Sequence, residues 1–434
     1  MQIIAQTSSS QYGMQTIDIC VLGKYVKKSY NKIKKELEKE FKKELSEDMI
    51  EKLTTKRLEK EITSGIQMLE YQINTLITSN GSTPNVAWFL NLNNNDLYEK
   101  ENAMLIEEIL KRRYKGIKSE NGEYKTCEFP KLIYVLNEDN SLNGEKYDYL
   151  TKMAIECTKL RQAPYFISAK KIKENYSGQV FAPINITHFL EPWKDENGNY
   201  KFSGRFNQGI VTINLPQIGI IADGNEEKFW NLLNERLETC KEALMCKHYA
   251  MLGTLSQISP IQWNYGAIAR LSKNETIDSL LKNGYSTLSL GYIGICEVTK
   301  LVKDVSNTEK EGHDFSIKLL KYLNEKVKEW KKETGLGFML CQTQDINVCK
   351  EFLEKDREEF GEIKEITNKR NYSNSYCLSE TDEIDVFKKI EFESEYQKLT
   401  PGGAITYLKI SEINDFEKVV KFIYNNVQYV GFIE

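Results

Sequence analysis

Three stretches of the chain carry residue types that could hold or transform a ligand. In GRFNQGIVTINLPQIG (204–219), Asn207, Gln208 and Gly209 stand immediately before an apolar run. A polar side chain there can face a ligand at the end of a strand, and the same Asn serves equally well as a capping or turn residue. In CQTQDINVCKEF (341–352), Thr343 and Asp345 fall at the start of a helical pattern. Free backbone N–H groups at such a start can receive a phosphate, although an ordinary N-cap uses the same residue types. Gly402 and Gly403, after Pro401, allow either close approach of backbone to a ligand or a plain tight turn.

Other chemistries are poorly supplied. The nine cysteines (Cys20, Cys127, Cys157, Cys240, Cys246, Cys296, Cys341, Cys349, Cys377) are scattered, with no C-x-x-C pair and no cluster with His at metal-ligand spacing. Reduced thiols are expected, and no metal site. None of His188, His248 and His313 sits beside a Ser or Cys motif, so hydrolase readings start weak. The opening MQIIAQTSSSQYG lacks a basic start, an apolar block and a small-residue cleavage site, which points to the cytoplasm.

The elements that position these residues follow from hydrophobic periodicity. From Val21 to about Leu76 lysine and glutamate alternate around sparse apolar positions, the pattern of long solvated helices. After Asn80-Gly81 short apolar runs appear: 85–92, 131–137, 209–215, 285–291, 337–341 and 404–410. Helical patterns such as EKENAMLIEEILKRRY, NEEKFWNLLNERLETCKEALM and FSIKLLKYLNEKVKEWKKE lie between most of them. Strands alternating with helices imply a largely parallel sheet and an α/β fold. No Pro/Gly-rich linker interrupts the 434 residues, so a single domain over 1–434 is expected. With 59 Lys+Arg against 63 Asp+Glu, no whole-chain field steers the protein to nucleic acid or membrane. The longest apolar stretch, Gly209 to Ala222, is too short to span a bilayer.

Taken in order, IIAQTSSSQYG (3–13), LEYQINTLITSNGSTP (69–84), EFPKLIYVLNEDN (128–140), GRFNQGIVTINLP (204–216), KNGYSTLSLGYIGICE (282–297), NYSNSY (371–376) and LTPGGAITY (399–407) resemble the anaerobic, glycyl-radical ribonucleoside-triphosphate reductases. The resemblance implies a ten-stranded α/β barrel with a finger loop through its middle, here at about 180–191, with long peripheral helices and dimerisation. It implies deoxyribonucleotide synthesis, in which a glycyl radical oxidises a finger-loop cysteine to a thiyl that takes the 3′-hydrogen of the substrate. It further implies a zinc site beside the radical glycine, and nucleotide effectors. By motif it assigns Asn207 to the active site, and Thr343, Asn347, Asn374, Ser375, Gly402 and Gly403 to substrate binding.

The sequence departs from that pattern where the chemistry is most demanding. The family's finger loop reads approximately Thr-Pro-Met-Gly-Cys-Arg-Ser-Phe-Leu, and within residues 181–190 the nine from Ala182 onward align with it without a gap. Ile186 then takes the thiyl position, with Asn207 falling 21 positions later, as in the family. Cys157 and Cys240, the cysteines nearest in sequence, lie in helical patterns where a small buried thiol is the ordinary reading. Where relatives carry Thr-Pro-Ser-Glu-Asn, this chain has Thr343-Gln344-Asp345-Ile346-Asn347. An aspartate facing phosphate adds repulsion on the order of 1 kcal/mol or more. Cys377 replaces the histidine of the family's Asn-Ser-Tyr-His.

The chain is therefore expected to be a partial barrel, incomplete at its N-terminal end, without the ATP-sensing domain and the zinc and glycyl-radical segment. No turnover and weakened ribonucleoside-triphosphate affinity are expected. As partners the reading offers a second copy, a full-length reductase or its activase, and neither nucleic acid nor membrane. The competing readings are the core of a split reductase, a nucleotide- or reductase-binding pseudoenzyme, and a gene remnant.

Overall fold

The computed structural model describes residues 15–41, 44–77, 84–92, 97–127, 129–184, 188–190, 192–202, 204–343, 346–378 and 384–434. They form an α/β fold of helices and mixed sheets, the class expected from the alternation of strands and helices. The chain divides into two compact units, residues 1–173 with 408–434, and residues 174–407. The crossings fall inside regular elements, a helix at Ala169–Asn175 and a strand at Thr406–Lys409, so composition carries no linker signal.

Unit 1 opens with β1 (Gln15–Asp18), α1 (Gly23–Phe41) and α2 (Glu47–Thr75). Val26, Ile33 and Leu37 of α1, and Leu58, Ile62, Ile66 and Ile73 of α2, form buried stripes beneath charged outer faces. Ser46 caps α2 by accepting the Met49 N–H at 3.3 Å. There follow β2 (Val86–Leu90), α3 (Glu99–Lys115), the short pair β3 (Ile117–Lys118) and β4 (Tyr124–Lys125), β5 (Lys131–Leu136), α4 (Asp148–Arg161), β6 (Tyr165–Ser168) and α5 (Ala169–Asn175). Strands β1, β2, β5 and β6 run parallel in that spatial order. Every residue of β2 is buried, as expected of a parallel strand covered on both faces.

Unit 2 carries β7 (Asn207–Asn214), α6 (Leu215–Ala222), α7 (Glu226–Met251), α8 (Pro260–Trp263), β8 (Thr287–Ile293), α9 (Ile295–Lys303), α10 (Lys310–Thr334), β9 (Gly337–Gln342), α11 (Ile346–Phe360) and α12 (Val386–Lys398). After it come β10 (Thr406–Lys409), α13 (Phe416–Asn426) and β11 (Tyr429–Ile433). The last strand pairs antiparallel with β6 and completes a six-stranded sheet, β1-β2-β5-β6-β11-β10.

The unit 2 sheet has three parallel strands in the order β7-β8-β9. Alternation gives it two unlike faces. Leu288, Leu290 and Tyr292 of β8 and Phe338 and Leu340 of β9 are buried in one core with Leu233 and Leu237 of α7 and Leu319, Leu320 and Leu323 of α10. Each such side chain contributes roughly 1.5–3 kcal/mol on burial. The residues between them, Ser289, Gly291, Met339 and Cys341, point to the opposite face, which carries the candidate site.

Candidate functional site

Asn207 opens β7 and is buried. Its Nδ2 donates to Oγ of Ser289 on β8 at 2.5 Å, and its Oδ1 accepts the Gly209 N–H at 2.8 Å. The second bond belongs to a register shift, in which Asn207 pairs with Thr287 but Gly209 pairs with Leu288. The extra residue, Gln208, is turned inward. Its Nε2 donates to Ser286 Oγ at 2.8 Å and its Oε1 accepts from His248 Nδ1 at 2.8 Å. Burial holds the His248 pKa below the ordinary histidine value, and the contact with the Gln208 carbonyl oxygen requires a proton on Nδ1. The bulge thereby re-aims Asn207 while Gln208 anchors the strand.

A second cluster lies at the C-terminal ends of the same strands. The Thr343 N–H donates to Ser375 Oγ at 3.0 Å, and its hydroxyl donates to the Tyr292 carbonyl at 3.1 Å. Ser375 is fully buried with φ +56°, and its hydroxyl lies 2.8 Å from that same carbonyl and 3.2 Å from Asn374 Oδ1. The Gly294 and Ile295 N–H groups, at the start of α9, donate to the carbonyls of Ser373 and Ser375. The buried carboxylate of Glu297 accepts from Ser373 Oγ at 2.6 Å and from Lys369 Nζ at 3.0 Å, fixing this segment on α9. Helix α11 is pinned through Asp356, which accepts from Asn214, Gln217 and Tyr372.

Gly291 separates the two clusters and must lack a side chain. A Cβ there would come within 2.8 Å of Thr212 Oγ1 and 3.1 Å of Thr343 Oγ1. Asn207, Ser289, Thr212 and Thr343 thus share one sheet face. Between Ser289 and Tyr292 the strand rises about 10 Å, at ~3.3 Å per residue.

Gly402 and Gly403 belong to the same region through backbone bonds. The Gly402 N–H donates to the Leu340 carbonyl at 2.7 Å and the Gln342 N–H to the Gly403 carbonyl at 3.0 Å. The Gly402 carbonyl accepts the Phe189 N–H at 2.9 Å, which ties Phe189 to the turn beside β9. The Ile184 N–H donates to the His188 carbonyl at 2.9 Å, and Phe181 and Phe189 both pack on Tyr176. His188 is buried, and burial lowers its pKa to about 4.

The residues assigned by motif are placed unequally. Asn207 lies in the first cluster; Thr343, Asn374 and Ser375 converge in the second; Gly402 and Gly403 support β9. Asn347 is exposed in the first turn of α11, in contrast to the buried Thr343 and Ser375. Ile186 and Asp345 lie outside the described residues. Cys157 is buried in α4 of unit 1, and Cys240 lies with α7 in the helix-side core of unit 2. Cys341, which sequence proximity passed over, shares the face of Asn207. Burial pushes its thiol up to about 12, against the opposing effect of a hydrogen bond with Ser289. Among the described residues no group of three or more His, Cys, Asp or Glu could hold a metal ion. No helix of the described residues is long and apolar enough to cross a membrane.

The sequence profile of the anaerobic ribonucleoside-triphosphate reductases matches residues 1–433. Over 443 residues the chain is 34% identical to the anaerobic ribonucleoside-triphosphate reductase of Enterobacteria phage T4, which covers 99% of this chain and 70% of the phage protein. It is 34% identical over 444 residues to the protein of the same name from Escherichia coli (strain K12), covering 99% of this chain but 60% of that relative. Among solved structures, the anaerobic ribonucleotide reductase from Thermotoga maritima in complex with dATP and CTP matches with a TM-score of 0.66 at 18% identity, over 99% of this chain and 67% of that one. The same enzyme with MES in its active site gives a TM-score of 0.69 at 17% identity, over 99% and 68%.

Proposed function

The chain belongs to the anaerobic ribonucleoside-triphosphate reductase family, and we propose that it binds a ribonucleoside triphosphate along the polar face of the β7-β8-β9 sheet without reducing it. The observation that carries the binding half is the common face of Asn207 and Thr343. The buried Asn207 amide, held by Ser289 and the bulge, would meet the ribose hydroxyls. The phosphates would extend toward Thr343, Asn374, Ser375 and the N-terminus of α11, where helix N–H groups favour an anion. The span of about 10 Å along β8 suits the separation of a ribose from its outer phosphates. The related Thermotoga maritima enzyme, solved with dATP and CTP, supports a nucleotide as ligand.

The inactive half rests on residue type and spacing. A thiyl radical takes the 3′-hydrogen, forming S–H and leaving the radical on carbon, and later returns a hydrogen atom. This cycle works because the two bonds are of similar strength. Isoleucine offers no such bond, and Ile186 stands 21 positions before Asn207, where the family places its cysteine. Asp345, immediately before α11, further weakens the attraction for phosphate. One observation favours a competing, active reading: Cys341 lies on the same face as Asn207 and is held as a protonated thiol beside Ser289. Its full burial argues against direct access to substrate.

Isothermal titration of wild type and Asn207→Ala with each of the four ribonucleoside triphosphates tests the binding half. Saturable binding that weakens at least about tenfold in the variant supports it. Absence of binding by the folded wild-type protein to any of them refutes it.

A further inference from the structure

Helix α7 meets β7 through two successive residues near its C-terminal end, and both act on the neighbours of Asn207. Lys247 lies across Gly209, where a Cβ would come within 2.5 Å of the lysine Cδ. His248 is buried and places Nδ1 2.8 Å from Oε1 of Gln208, the extra residue of the bulge. Asn207 precedes Gln208 directly, and its Oδ1 accepts the Gly209 N–H at 2.8 Å.

Only one set of donor directions fits these bonds. Ser286 Oγ directs its proton to the Leu280 carbonyl at 2.7 Å, so it accepts from Gln208 Nε2 at 2.8 Å. The Leu281 carbonyl offers Nε2 a second acceptor at 3.2 Å. With the amide nitrogen held by two acceptors, Oε1 faces His248, and a carbonyl oxygen can only accept. The Nδ1 proton of His248 is therefore the first link in a directed chain that runs from α7 through Gln208 and Ser286 to the Leu280 carbonyl. The far end of the chain returns to the helix. The Gly253 N–H donates to Asp278 Oδ1 at 2.8 Å and the Ile277 N–H to the Thr254 carbonyl at 3.0 Å, so the 277–281 turn and the end of α7 hold each other.

We propose that His248 is a positioning residue for the nucleotide site: it fixes Gln208, Gln208 fixes the bulge, and the bulge sets the direction of the Asn207 amide. This rests on the reading that a ribonucleoside triphosphate binds at Asn207. His248 acts through Gln208 and not on the ligand. A bulge aims the side chains beside it, so the hold on its extra residue decides where the adjacent amide points. Without the Nδ1 donor, Oε1 is left buried and unsatisfied. Gln208 regains a partner only by moving, which takes Asn207 and its bond to Gly209 with it.

Two substitutions of nearly equal shape separate positioning from packing. In His248→Asn the Nδ2 donor takes the place of Nδ1, whereas in His248→Leu a methyl group does. Amide exchange of Gly209 in the nucleotide-free protein reads the orientation of Asn207, and calorimetry with ATP, CTP, GTP and UTP reads binding. His248→Leu speeds Gly209 exchange at least about tenfold and weakens the tightest-binding nucleotide at least about fivefold. His248→Asn holds both within about twofold of wild type. The loss of affinity in His248→Leu disappears when Asn207→Ala is added, because the two changes act through one group. Gln208→Glu, which keeps an acceptor for His248 but cannot donate to Ser286, reproduces both losses and takes the place of His248→Leu if that variant does not fold. Wild-type exchange and affinity in His248→Leu overturn the proposal, as do equal losses in the Asn and Leu variants, or a loss that persists in full beside Asn207→Ala. A wild-type protein that binds none of the four nucleotides refutes nucleotide binding, and the Gly209 exchange then decides by itself whether His248 positions Asn207.

Discussion

Nδ2 of Asn207 donates to Oγ of Ser289 at 2.5 Å across the β7–β8 pair, and Oδ1 of the same side chain accepts the Gly209 N–H at 2.8 Å. One buried amide thus serves both as the clasp between β7 and β8 and as the closure of the bulge in β7. Asn207→Ala leaves a buried hydroxyl and a backbone N–H without their partner, at a cost of about 1–3 kcal/mol. Ser289→Ala should cost about 1 kcal/mol, because Asn207 keeps its bond to Gly209. Urea unfolding of the two variants checks the order, and an equal or reversed cost contradicts the shared role.

Gly402→Ala should destabilise the protein by about 1–3 kcal/mol, the usual penalty of overpacking. Its Cβ would sit 2.6 Å from the Leu340 carbonyl oxygen and 2.9 Å from Cys341 Cβ, so β9 or the bond to Phe189 must give. Gly65→Ala is the control: nothing lies within 4 Å of the added Cβ in α2, and removing a helix glycine stabilises by about 0.5–1 kcal/mol. Thermal unfolding should move in opposite directions for the two substitutions.

The parts of this fold that were legible in sequence are those whose burial leaves a local pattern. The runs at 85–92, 131–137 and 337–341 become β2, β5 and β9, because strands covered on both faces are largely apolar, and the run at 209–215 becomes most of β7, a partly exposed strand. The lysine- and glutamate-rich stretch becomes α1 and α2. Strands β6 and β11 escaped notice, being four and five residues long and too short to separate from flanking helix by periodicity. Asn207 was visible as a polar residue before a strand. Ser289 and Cys341 were not, since nothing local marks them, and they meet Asn207 only when three strands far apart in sequence pair.

His188 makes stability depend on pH. Burial lowers its pKa from 6.5 to about 4 in the fold, so between those values the unfolded chain binds the extra proton. The contribution is complete above pH ~6.5 and is lost as pH falls toward ~4, amounting to about 3 kcal/mol in all. His188→Gln should flatten this part of the stability profile, measured by denaturant midpoints across that range. An unchanged slope in the variant would show that another group titrates.

Asp345→Ser should tighten triphosphate binding by about fivefold, equivalent to about 1 kcal/mol of relieved repulsion at the start of α11. The gain should shrink in high salt, as a charge effect near the surface requires. Calorimetry at two ionic strengths measures both, and a gain unaffected by salt would assign it to another cause.

Binding without reduction is tested most directly by anaerobic turnover. The purified chain is incubated with a reductase-activating radical enzyme, S-adenosylmethionine, a reductant and ribonucleoside triphosphates, and deoxynucleotide is measured. If Ile186 stands at the thiyl position, the expected result is that no deoxynucleotide forms although nucleotide binds. Deoxynucleotide that accumulates after contaminating reductase has been removed would contradict the account, and its loss in Cys341→Ser would identify the thiol responsible.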